Sequence, residues 1–167
     1  MASRGSLIDL IYIAVIIFVI AISVLFGSFL MGKISPALQN NTNVQELNST
    51  ILQQGESMYD TTWDSMFLFL IIAAAAITAI GAFYIKTHPA FFIIGIIIFS
   101  VVLLLSLIFG NIYGSIADTD DMADTANRMD IMGTVMNNFG IIMLIVIVLV
   151  VVALFARGYM GGGEGGY

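Results

Sequence analysis

Five aspartates crowd the stretch SIADTDDMADTANRMDIMGTVMNNFG, residues 115–140: Asp118, Asp120, Asp121, Asp124 and Asp130. Carboxylates at this density can ligate a hard cation, so their spacing is the first test. A calcium loop of the EF-hand type needs oxygen ligands at its first, third and fifth positions, glycine at the sixth and glutamate at the twelfth. Counted from Asp118, the third position is Asp120, but the fifth is Met122, the sixth Ala123 and the twelfth Met129. The motif fails, and no metal ligands are assigned.

A helix start accounts for these acids more simply. Asp118 or Thr119 can cap a helix, with Asp120 and Asp121 in its first turn, where the positive end of the helix dipole favours carboxylates. Behind them Met122, Met129, Met132, Met136, Phe139, Met143 and Val146 recur at steps of 7, 3, 4, 3, 4 and 3. That is a heptad seam running from the acidic segment into the apolar run that follows. The pattern predicts one helix from Thr119 to Ala156, about 57 Å long at 1.5 Å per residue.

Other chemistry is sparse. The chain has no cysteine, which removes disulfides, thiolate metal sites and cysteine nucleophiles. The single histidine, His88, has neither a second ligand nor an acid near it in sequence. No P-loop, dinucleotide glycine fingerprint or nucleophile elbow is present. The C-terminal GYMGGGEGGY is glycine-rich but lacks the lysine of a phosphate loop, and it reads as a tail over 158–167. No basic patch suits nucleic acid. The sequence therefore assigns no catalytic residue, no cofactor and no nucleic-acid partner, and an enzyme is not expected.

What must position these residues is a set of apolar helices. Of 167 residues, 60% are hydrophobic and only 10% charged, whereas a soluble domain carries about 25% charged residues. Four runs contain no charge: Leu10–Gly32 (23 residues), Ser65–Ile85 (21), Pro89–Ala117 (29) and Ile131–Ala156 (26). A helix needs about 20 apolar residues to cross a bilayer, and lipid leaves no partner for an unpaired backbone group. The expected fold is an all-α integral membrane protein with four transmembrane helices, over about 7–32, 64–86, 89–114 and 131–157, in one domain spanning 1–157. The first run is too long for the apolar core of a signal peptide and is read as a span.

The connectors give a topology. The outer connector, 33–63, is expected to be partly helical: Thr42 or Asn43 with Glu46 resembles a capping box, Gly55 weakens the helix without ending it, and Pro36 ends the extension of the first span. The second outer segment, 119–130, extends the fourth helix. Two helical hairpins result, joined by KTHP, with helices 2 and 4 reaching beyond the bilayer on the acidic side. Nine of the eleven acids lie within residues 33–64 and 118–130, together with Lys33 and Arg128, while Arg4, Lys86 and Arg157 lie on the side of the termini. Basic residues near span ends favour the cytoplasmic side. Both termini are therefore expected inside and the acidic connectors outside. The triplets at Asn40 and Asn48 match glycosylation acceptors but are common by chance.

Helices in lipid associate through close packing of small residues. The residues spaced for this are Gly27 and Gly32 in the first span, Ala74, Thr78 and Ala82 in the second, and Ser106, Gly110 and Gly114 in the third. The fourth span contains only one small residue from Ile141 to Leu154, Ala153. Its methionine seam, Met122, Met129, Met132 and Met136, together with Tyr159 and Tyr167 of the tail, is the candidate contact for a partner. No interior ionisable group is present in any span, which argues against a coupled transporter. These features point to a structural subunit of a larger membrane assembly or of a virion internal membrane. Its partners would be the lipid bilayer and other membrane or capsid-type subunits, including further copies of itself. The competing expectation is a small channel or holin-like permeabilising protein, supported by an acidic vestibule that would concentrate cations.

Overall fold

The computed structural model describes residues 8–39, 45–84 and 89–160. All regular structure among them is helical: α1 (Asp9–Gln39), α2 (Gln45–Tyr84), α3 (Pro89–Ala117), α4 (Ala123–Arg128), α5 (Asp130–Asn137) and α6 (Phe139–Met160). Four of these are long and apolar enough to cross a membrane, over Asp9–Ile34, Gln54–Ala82, Ile93–Ala117 and Phe139–Ala156. The all-helical reading of the sequence holds, with four helices that could cross a membrane where four spans were expected.

The pattern of burial explains why lipid suits this bundle as its solvent. α1 turns a seam of small and branched residues inward, Leu10, Ala14, Ile17, Ala21, Val24, Leu25 and Ser28, at most 4% exposed. It packs on α2 and α3, and α6 packs on those same two helices. Phe18 and Phe109 stack across α1 and α3 with centroids 4.4 Å apart. On the opposite faces stand Ile93, Ile97, Leu104 and Leu107 of α3 and Ile141, Ile145, Val148 and Phe155 of α6, all exposed. Such continuous apolar exteriors would be a liability in water and are ordinary in hydrocarbon.

Three local expectations fail. Pro36 does not end α1, which continues to Gln39. Proline lacks one donor, and near a helix end the loss of a single bond leaves the remaining backbone bonds intact. The helix expected from Thr119 to Ala156 is broken twice, at Met129 and at Asn138, so the fourth membrane-length helix begins at Phe139 rather than near residue 131. Nor do Asp118 and Thr119 cap a helix. Residues 118–122 form turns, the Thr119 hydroxyl donates back to the Ile116 carbonyl at 2.7 Å, and α4 starts without a side-chain cap. α2 passes through Gly55 without a break. Thr42, Asn43, the KTHP residues Lys86, Thr87 and His88, and Gly161–Tyr167 lie outside the described residues.

Candidate functional site

Glu56, Asp60 and Asp64 occupy one face of α2 at four-residue steps, the spacing that stacks side chains along a helix. Each reaches across to another element. Asp60 is buried, 3% exposed. It accepts the Ser28 hydroxyl from α1 on Oδ1 and the Arg128 Nε–H from the end of α4 on Oδ2, the latter at 2.8 Å. The same guanidinium places Nη2 2.9 Å from Glu56 Oε1. One arginine is thus held by two carboxylates one turn apart, a charge-assisted geometry stronger than a neutral hydrogen bond.

Asp64 does something different. Its carboxylate accepts the backbone N–H of Ile131 at 3.1 Å and of Met132 at 2.6 Å. These are among the first amides of α5, which have no partner within their own helix. The residue in the N-cap position, Met129, provides no side-chain bond. Asp64 supplies from α2 the acceptor oxygens that a local aspartate or serine would ordinarily supply, and it sits where the helix dipole favours negative charge.

Missing side chains make room for this cluster. A Cβ at Gly32 would lie 3.2 Å from Glu56 Oε1 and 3.4 Å from Arg128 Nη2, and one at Gly27 would collide with the Tyr59 hydroxyl. Three carboxylates against one guanidinium leave the cluster formally negative. Lys33 lies 3.9 Å from Asp121, but both side chains are largely exposed and the pair contributes little. Tyr59 and Trp63 lie in tilted contact on α2 beside the cluster, and amphipathic rings of this kind favour the level of lipid headgroups.

Among the small residues singled out from sequence, the glycines lie close to atoms of neighbouring helices. A Cβ on Gly110 would come 2.9 Å from the Met136 carbonyl oxygen, and one on Gly114 would meet Asn137 Oδ1 at 3.5 Å. Ser106 is buried and donates to the Val102 carbonyl of its own helix at 2.7 Å. Thr78 does the same toward Ala74 at 2.6 Å, and Ala82 is buried in a cluster with Val150. Met122, Met129, Met132 and Met136 lie inside the chain, the last three at 0% exposure. The short helices α4 and α5, which carry or adjoin them, pack against α1, α2 and α3. Tyr159 lies within α6, while Tyr167 is outside the described residues.

The bonds of the cluster tie α2 to α1, α4 and α5. No group of three or more histidine, cysteine, aspartate or glutamate side chains among the described residues is placed to hold a metal ion. A groove of about 260 Å³ runs between α3 and the α5–α6 junction, lined by Ser106, Gly110, Asn111, Gly114, Asn137 and Gly140 among others. A second groove, of about 420 Å³, is almost wholly apolar and separates parts of α1 and α2 near Ile16, Trp63 and Ile77. The interhelical cluster itself escaped the sequence reading. The available signals were the four-residue spacing of Glu56, Asp60 and Asp64, and a lone arginine in an otherwise acidic segment. No protein-family model matches the sequence, and no curated protein or solved structure shows detectable similarity to it.

Proposed function

We propose that this chain is a non-enzymatic structural membrane protein, a small multi-spanning subunit of a larger membrane assembly or of a virion internal membrane. One observation supports the reading above others. The acidic and basic side chains of the polar cluster bond the chain's own helices to one another, and the four apolar helices present aliphatic side chains outward. That division of labour suits a protein whose work is to hold a shape in a bilayer.

In this reading α1 and α2 form one helical hairpin, and α3 with α4–α6 forms the other. Arg4, Lys86 and Arg157 lie on the inner side with the termini. The outer side carries Glu56, Asp60, Asp64 and the aspartates of residues 118–130. α2, at 40 residues, is about 60 Å long at 1.5 Å per residue, twice a hydrocarbon core of about 30 Å. Its N-terminal half, carrying the three carboxylates, therefore stands above the bilayer.

The test is co-purification from the source membrane with a tagged chain, paired with flux measurements in liposomes. Partners recovered at fixed stoichiometry, with liposomes no leakier than protein-free ones, support the reading. Selective ion or dye flux at low protein-to-lipid ratio overturns it in favour of a pore.

A further inference from the structure

The break at Met129 does not come from its own sequence, whereas the one at Asn138 falls at an Asn-Asn pair whose second side chain donates to the Thr134 carbonyl at 2.8 Å. Residues 118–156 contain no proline, and no described residue has positive φ. Met129 nonetheless leaves the helical region, with φ −110° and ψ 66°, although methionine is a good helix former. The heptad seam from Met122 to Val146 keeps its register across both breaks, as it would in a straight helix. What coincides with the break is the α2 face. Arg128, just before it, is held by Asp60 and Glu56, and the amides of Ile131 and Met132, just after it, are held by Asp64.

We propose that residues 118–138 are a two-state cap, a conformational device latched by the α2 carboxylates. In the latched state α4 and α5 lie bent against α1, α2 and α3. When the hold of Asp64 and Asp60 is released, the Ile131 and Met132 amides bond within the helix instead. α4 and α5 then join into one helix over residues 123–137, about 22 Å long at 1.5 Å per residue. Residues 118–122 supply the slack, since five residues reach about 17 Å when extended. Two packings of one segment, biased by a few charge-assisted bonds, are the usual basis of a switch.

The latch rests on the geometry of the fold and stands or falls separately from the proposed role in an assembly. Because the chain has no cysteine, single thiols report on it cleanly. Met129→Cys places a thiol at a site that is 0% exposed, and Met143→Cys places one in the same seam within α6, 2% exposed. Both are labelled with a membrane-permeant maleimide, with and without Asp64→Asn plus Arg128→Gln, and helicity is followed by circular dichroism. The latch predicts labelling at position 129 faster by at least about tenfold, the scale of losing a single charge-assisted bond from the closed form, since the double substitution weakens several. It also predicts an unchanged rate at position 143 and helicity that is kept or raised. Equal acceleration at both sites means general loosening and overturns the proposal. So does no acceleration at either, or acceleration at 129 with lost helicity, which means unravelling rather than straightening. If the double substitution does not accumulate in membranes, Glu56→Gln removes one contact of Arg128. It should give a smaller increase at position 129 alone, and its failure to do so counts against the latch.

Discussion

Replacing Gly110 with alanine isolates the contact between α3 and α5. The added Cβ would stand 2.9 Å from the Met136 carbonyl oxygen and 3.8 Å from the Phe139 Cβ. The nearer atom is backbone, with no rotamer to relieve the clash, so α3 and the α5–α6 junction must move apart by a few tenths of an ångström. Overpacking of this kind costs about 1–3 kcal/mol. Against it, glycine to alanine in a helix interior gains about 1 kcal/mol of intrinsic propensity. Gly110→Ala should therefore come out neutral to roughly 2 kcal/mol destabilising. Gly133 lies in α5, and a Cβ added there would meet no described atom within 4 Å, so Gly133→Ala should show the propensity gain alone. The difference between the two variants, about 1–3 kcal/mol, is the packing term. Reversible unfolding in mixed micelles, followed by circular dichroism, measures both. Equal stability of the two variants would refute the close approach of α3 to the Met136 carbonyl.

Three more outcomes follow from the same geometry. Asp60→Ala strands the buried Ser28 hydroxyl and removes one of the two carboxylates on Arg128, so it should cost roughly 2–4 kcal/mol in the same unfolding assay. Gly27→Ala should destabilise by collision with the Tyr59 hydroxyl, and Tyr59→Phe should recover part of that loss. A double-mutant cycle should give a coupling of about 1 kcal/mol, and strict additivity would mean the two residues do not meet. The Tyr113 hydroxyl is buried and has no hydrogen-bond partner among the described residues. Tyr113→Phe should accordingly lose no stability and can gain on the order of 1 kcal/mol in thermal unfolding.

The spans were legible because their signal is long and local. Runs such as Pro89–Ala117 exceed the length a bilayer requires, and the helix found there has the same limits. The methionine seam was legible too, because period survives in sequence whatever the helix packs against. Its destination was not. Periodicity identifies an apolar face without saying whether it is covered by the same chain or by another, and here α1, α2 and α3 cover it. The break at Met129 could not be read locally, since it coincides with bonds from Asp64 and Asp60 to residues 67 and 68 positions away. Pro36 shows the reverse case. A strong local signal predicted a helix end, yet α1 continues beyond it to Gln39.

Native mass spectrometry of the protein released from its source membrane under mild solubilisation bears most directly on the proposed role. A structural subunit should appear in a defined multimer or with co-purifying partners in constant ratio. A lone monomer, stable and without partners across gentle detergents and native-membrane discs, would contradict the account.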